Sequence, residues 1–284
     1  MKVLITGADG QLGRELRKLY PDAIGTSHNP SEMFYLQIED QNAIIKLLER
    51  ERPDVVVNCA ALTNVDSCEK EKEYAYKVNG LAVRSLALEC RRIGAKLVHI
   101  STDYVFDGID GNYPEDASPN PVNYYGLSKL AGEHFAFSAE ENLIVRTSGV
   151  FGYSNNFPLF AYNKLKNGEV VKAIKGFYSP IHAENLAKAV KKFIDLNEVG
   201  IINVAGERIS RMNLALTIAA FFNYDKNLIT ESDTVQNLQA RRPFDSSLNI
   251  TKARKLIDFD FYTTNSNLHA FKRSIEKIKV QKLK

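Results

Sequence analysis

Cysteine is scarce in this chain, and no apolar run is long. The three cysteines, Cys59, Cys68 and Cys90, are odd in number and show no metal-ligand spacing. They exclude a disulfide framework, give no reason to expect a metal, and fit reduced thiols in a cytoplasmic location. No stretch approaches the roughly 18 apolar residues that span a bilayer, so no membrane association is expected. The sequence begins on Lys2-Val3-Leu4-Ile5-Thr6, which reads as a strand and carries no secretory signal. A charge excess is missing too. The net charge is +3 with mixed signs, which argues against nucleic acid as a partner. The one lysine-dense stretch, residues 272–284, reads as the solvated end of an amphipathic helix. There is no internal repeat and no low-complexity linker.

What is present is a globular composition: 44% apolar and 25% charged residues over 284 positions, enough for a substantial core. The first half alternates short apolar runs with helical spacing. Strands are predicted at 3–5, 23–25, 55–57, 96–100 and 143–145. Helices are predicted at 11–20, around 44–48, from about 70 to 92, and at 124–138. Alternation of this kind predicts an α/β fold, a doubly wound parallel sheet of Rossmann type. Residues 1–150 read as a dinucleotide-binding domain. Residues 151–284 read as a smaller substrate-binding lobe, with some segments returning to the sheet. In that lobe, helices are predicted near 155–167, 183–196, 210–223 and 265–280, and a strand at 201–204. Residues 225–250 read as irregular.

The first chemical signal is Gly7-Ala8-Asp9-Gly10-Gln11-Leu12-Gly13, directly after a strand and opening a helix. Gly7 makes the tight turn, Gly10 lets backbone approach a pyrophosphate, and Gly13 allows close helix–strand packing. The phosphates then meet free N–H groups at a helix N-terminus. Selective NAD sites place an acid after the second strand, but here the stretch is Thr26-Ser27-His28-Asn29. Its lack of an acid removes a repulsion from a 2′-phosphate. NADP(H) is therefore the expected cofactor, with NAD(H) still open.

The second signal is Tyr125-Gly126-Leu127-Ser128-Lys129. On a helix, Tyr125 and Lys129 share a face. A nearby ammonium favours the phenolate and would bring Tyr125 towards working pH as a general acid. Tyr124 is a rival donor that misses this geometry. The third signal is Ser101-Thr102-Asp103-Tyr104-Val105-Phe106-Asp107-Gly108, placed where a strand ends and ligands bind.

These motifs resemble the extended short-chain dehydrogenase/reductase superfamily, and within it the dTDP-4-dehydrorhamnose reductase family. The resemblance covers most of the chain. It also takes in Asn58-Cys59-Ala60-Ala61-Leu62-Thr63-Asn64-Val65-Asp66, Val78-Asn79, Arg146-Thr147-Ser148, Arg242-Pro243 and Ser247-Leu248. It implies hydride transfer from NADPH or NADH to the C4 ketone of a dTDP-linked deoxy sugar, with dTDP-4-dehydro-L-rhamnose giving dTDP-L-rhamnose. By position, Tyr125 would protonate the alkoxide, Lys129 would tune Tyr125 and hold the ribose, and Thr102 would bind the carbonyl. Ser27, Gln37, Ile38, Ala60, Ala61 and Thr63 would join Gly7, Gly10, Gln11, Leu12 and Gly13 at the cofactor, with Asn79 as a buttress. Asp103, Val105, Phe106, Asn155 and Arg242 would join Thr102 at the substrate. Members are often dimeric, so a homodimer is an implied partner.

Three departures stand out. Gly149 occupies a position where the family often has tryptophan, and this chain has none. Gln37 replaces an aspartate. Phe177-Tyr178-Ser179-Pro180-Ile181-His182 replaces a Gly-x-Pro-Thr motif. The sugar-facing wall is therefore expected to be missing or rebuilt. Two other readings stay open. One is a non-catalytic NADP(H)-binding regulatory subunit, like the β subunit of methionine adenosyltransferase. The other is a nucleotide-sugar epimerase or dehydratase.

Overall fold

The computed structural model describes residues 1–29, 33–138, 141–154, 156–233 and 239–281. The first half runs β1 (Val3–Thr6), α1 (Gln11–Leu19), β2 (Ile24–Ser27), β3 (Phe34–Tyr35), α2 (Gln41–Glu51) and β4 (Val55–Asn58). It continues through α3 (Val65–Lys70), α4 (Lys72–Tyr76), α5 (Ala82–Ile93), β5 (Lys96–Thr102), α6 (Tyr124–Ala136) and β6 (Leu143–Thr147). Then come α7 (Phe157–Lys166), β7 (Val171–Ile174), β8 (Phe177–Tyr178), α8 (Ala183–Asp195) and β9 (Gly200–Asn203). The chain closes with β10 (Ile209–Ser210), α9 (Arg211–Phe222), β11 (Ile229–Ser232), α10 (Thr251–Leu256) and α11 (Thr264–Gln281).

Seven strands form one parallel sheet in the order β3-β2-β1-β4-β5-β6-β9. This is the doubly wound α/β sheet expected from the alternation. Side chains alternate between its faces. Val3 and Ile5 pack with Leu12 and Leu16 of α1 and Leu186, Val190 and Phe193 of α8. Leu4 and Val56 pack with Ile44 and Leu48 of α2 and Val83 and Leu86 of α5. A separate apolar cluster joins α7, α9 and α11 through Tyr162, Leu214, Ile218 and Phe271. There β7 pairs with β11 and β8 with β10.

The expected long helix from 70 to 92 is interrupted. Glu71 leaves helical geometry (φ −117°, ψ 55°), which separates α3 from α4. Residues Lys77–Leu81 then form a π-helical turn before α5. Asn79 lies in that turn. Its Nδ2 donates to Leu62 O (3.1 Å) and Ser128 Oγ (3.0 Å), and its Oδ1 accepts from Leu62 N (2.9 Å). The wider turn presents this side chain to the loop after β4, a use typical of π-bulges. Residues 225–250 are also less irregular than expected, because β11 forms there by pairing with β7.

Candidate active site

The sheet order reverses between β1 and β4, so the loops after their carboxyl ends diverge and leave a crevice. A cleft of about 640 Å³ lies there, lined from Gly7 to Leu12, from β2's end, from Ala60 to Thr63, and by Thr102, Tyr125 and Lys129. Gly7 adopts φ +61°, and a Cβ on it would fall 2.8 Å from Ala60 N. Only glycine makes this turn without displacing the loop after β4. Helix α1 starts at Gly10 with no side-chain cap, so its first N–H groups face the cleft unclaimed by any side chain. Such a cradle fits the pyrophosphate of a dinucleotide. Gln11 ties the cradle to the loop after β6, donating to Val150 O at 3.3 Å.

Of the residues expected at the cofactor, Gly7, Gly10, Gln11, Leu12, Ser27, Ile38, Ala60, Ala61, Thr63, Tyr125 and Lys129 line this cleft. Two do not. Gly13 is buried behind the turn, and Gln37 is exposed between two lining residues, Leu36 and Ile38. The strand-like alternation of 36–38 turns Gln37 outward. Beyond β2, His28 and Asn29 flank Asp9, whose carboxylate engages Asn29 Nδ2 at 3.2 Å and the Ser27 side chain.

Helix α6 starts at Asn123, whose Oδ1 accepts from Gly126 N at 2.8 Å. That start presents Tyr125 to the end of β5. Burial pushes the phenol's pKa well up, and the neighbouring Thr102 side chain offsets part of that rise. Tyr124 points elsewhere: it does not line the cleft, and Lys72 lies 5.5 Å over its ring. Tyr104 is the aromatic neighbour of Tyr125, edge-on at 5.8 Å.

Lys129 does not take the place expected for it. Its Nζ donates to Ile100 O at 2.7 Å and lies 3.3 Å from His99 Nε2. Burial lowers its pKa to about 8. It forms no hydrogen bond with Tyr125, whose pKa rise comes from burial and is offset in part by Thr102. The one-turn spacing places both side chains at the cleft, but the β5 carbonyl captures the ammonium. Behind it, His99 is fully buried and held neutral, its pKa well below the usual range through burial and then Lys129. Asn58 Nδ2 lies 3.1 Å from His99 Nδ1, and Thr6 donates to Asn58 Oδ1 at 2.6 Å.

Asp103 lies beneath Thr102 and is buried. It accepts from Thr102 Oγ1 (3.0 Å), Ser148 Oγ (2.6 Å) and Ser246 Oγ (2.5 Å). Burial raises its pKa, and those three hydroxyls pull it back down. Asp103 also lines a second cavity of about 210 Å³, which shares Tyr104, Gly149 and Val150 with the main cleft. Two other residues expected at the substrate are turned away. Val105 and Phe106 are fully buried in a cluster with Tyr113 and Leu248, and Phe106 stacks on Tyr113 at 4.3 Å. The short 3-10 turn Asp103–Val105 directs them inward. Arg242 lines neither cavity. It pairs with Asp66 at 3.0 Å and donates to Ala240 O at 2.9 Å. Asn155 lies outside the described residues.

The wall at Gly149 is rebuilt. Gly149 adopts φ +47°, and a Cβ there would meet the Tyr178 ring at 2.7 Å. Tyr178 therefore occupies the space beside it, supplied by β8 rather than by the loop itself. Arg211, at the start of α9, completes this side of the second cavity. Arg211 carried no site signal in the sequence, and Tyr178 stood only within the segment that departs from the Gly-x-Pro-Thr motif, because their place beside Tyr104 depends on the fold.

The family model described as RmlD substrate binding domain matches residues 1–276. The chain is similar to a solved structure from Sulfolobus tokodaii named as a hypothetical dTDP-4-dehydrorhamnose reductase. The two are 49% identical with a TM-score of 0.88, over 93% of this chain and 97% of that one. It is also similar to the Bacillus anthracis dTDP-4-dehydrorhamnose reductase in complex with NADP. That match is 32% identical with a TM-score of 0.87, over 95% and 99% of the two chains. The β subunit of methionine adenosyltransferase 2 from Xenopus tropicalis is 37% identical over 51% of this chain and 45% of its own length.

Proposed function

The chain belongs to the RmlD substrate-binding-domain family, and on that basis we propose that it reduces the ketone of a nucleotide-linked deoxy sugar with a nicotinamide dinucleotide. The proposed reaction is at C4 of a dTDP-linked sugar, with dTDP-4-dehydro-L-rhamnose giving dTDP-L-rhamnose. One observation carries the reading: Tyr125 and Thr102 line the same cleft as the glycine turn.

When bound, NADPH supplies the hydride. The chain's own residues do the rest. The turn from Gly7 to Leu12 and the loop from Ala60 to Thr63 would hold the dinucleotide. Tyr125 would donate to the ketone oxygen, and Thr102 would add a second donor by turning its single proton from Asp103 to that oxygen; together they orient the carbonyl and stabilise the negative charge that develops on it. Tyr125 would then release its proton to that oxygen. Its raised pKa keeps the proton in place until the alkoxide, a far stronger base, forms. Lys129 would hold the cofactor's ribose with the donor left over from Ile100 O.

Two outcomes follow. Direct titration should give a lower Kd for NADPH than for NADH, because β2 ends without an acid and Asp9 is already engaged by Ser27 and Asn29; tighter NADH binding would reverse the assignment. The second concerns pH. Lys129 is charged below about 8 and loses its charge above it. The rate should therefore hold up to that point and decline on the basic side, and Lys129→Met should remove the decline along with most of the activity.

The decisive assay is ketosugar-dependent NADPH oxidation with dTDP-4-dehydro-6-deoxyhexose. Turnover supports the reductase. NADPH binding without turnover or nucleotide-sugar binding supports a regulatory subunit. Tightly bound NAD surviving purification supports an epimerase or dehydratase.

A further inference from the structure

The second cavity has donors without acceptors. Tyr178 lines it and is 7% exposed, and its hydroxyl has no hydrogen-bond partner among the described residues. Leaving a buried hydroxyl unpaired is costly, so this one implies an acceptor that the described residues do not supply. Arg211 is the only cation among the cavity's lining residues. Its guanidinium lies 4.7 Å over the Tyr178 ring, and its charge also acts on the Tyr104 phenol. Among the described residues it forms no ion pair. It is also the first residue of α9, with no acid in that helix's first turn, so it meets the positive end of the helix dipole. The cation is thus without an ion-pair partner among the described residues. Asp103 also lines the cavity, but its carboxylate already accepts from three hydroxyls.

We infer that Tyr178 and Arg211 form an oxyanion subsite for the substrate, with Tyr104 beside them. The inference rests on the reductase reading for where the substrate's reacting carbon lies. With that carbon against Tyr125 and Thr102, Tyr104 spans the distance to Arg211, edge-on to Tyr125 at 5.8 Å. The group at Arg211 is then the substituent across the sugar ring. A phosphate of the nucleotide diphosphate fits this position, and so does a carboxylate on the sugar. Both offer the same chemistry, an oxyanion taking one phenolic and one guanidinium donor. Gly149 is the structural condition for the site, since any side chain there would displace the Tyr178 ring.

The test uses the NADP-loaded full chain and calorimetric titration with three probes: dTDP, inorganic pyrophosphate and D-glucuronate. Tyr178→Phe keeps the ring and removes only the hydroxyl. Arg211→Gln removes the charge. Each is expected to weaken dTDP and pyrophosphate by about ten- to a hundred-fold, the loss of one hydrogen bond to a charged group. Weakening of glucuronate alone would identify the carboxylate as the source. Unchanged affinities for all three probes in Tyr178→Phe, with NADP binding intact, would overturn the inference. So would a wild-type chain that binds none of them. If Arg211→Gln fails to fold, Tyr178→Phe decides alone. Failure of the reductase reading shows separately, as absent ketosugar turnover by the wild type.

Discussion

Tyr125→Phe should lower turnover by about 10²- to 10⁴-fold, the usual contribution of a positioned general acid, and leave NADPH affinity close to wild type. The phenol is the group aimed at Thr102, so its loss removes a proton donor and half of a two-donor clamp. The ring itself is retained, and with it the edge contact to Tyr104. Single-turnover kinetics beside a cofactor titration would separate the two effects. Thr102→Val should be milder in its effect on proton transfer and raise KM, because Thr102 orients the carbonyl without yielding the proton. A Tyr125→Phe variant with near-normal turnover would move the acid to another hydroxyl. Tyr104 is the neighbour placed to take over, whereas Tyr124 is not.

The largest stability effect is expected at Glu133. This carboxylate on α6 meets Arg146 of β6 at 2.7 Å, and both side chains are 3% exposed. Arg146 adds bonds from Nε to both carboxylate oxygens, at 3.0 and 3.2 Å. It also donates to Glu115 O and stacks on Phe106. Ser101 closes the network with a 2.5 Å bond to Glu133. Glu133→Ala would leave a guanidinium buried without its counter-charge and should cost about 3–5 kcal/mol. Urea unfolding with an unchanged slope would measure this. Replacing both partners by apolar residues of similar volume should cost less, since the desolvation of both charges disappears with them. Equal losses in the single and double variants would show that packing, not charge, holds this junction.

Much of this was legible in the sequence. Runs such as Val55-Val56-Val57 announce buried strands, and the Gly7–Gly10 turn announces the cradle because both depend on neighbours in the chain. The tyrosine and lysine of the 125–129 motif both line one cleft, as helical spacing allows. What local spacing cannot carry is competition between partners. Lys129 was free to approach Tyr125 by helical geometry, yet Ile100 O lies nearer, on a strand 29 residues away. Val105 and Phe106 share a motif with Thr102, yet one 3-10 turn puts them in the core. Arg242 found Asp66 across 176 residues. Arg211 gave no signal and Tyr178 only a departure from a motif, because their meaning depends on a glycine and a tyrosine far off in the chain.

The Asp103 triad has a consequence for how the protein is made. Its three hydroxyl partners lie 1, 45 and 143 residues along the chain. Contacts that close such long loops form late, after the local sheet and helices are in place. A growing chain that has completed β6 lacks both α8, whose Leu186, Val190 and Phe193 cover β1 and α1, and Ser246. The floor beneath Thr102 is sealed only when the end of the chain returns.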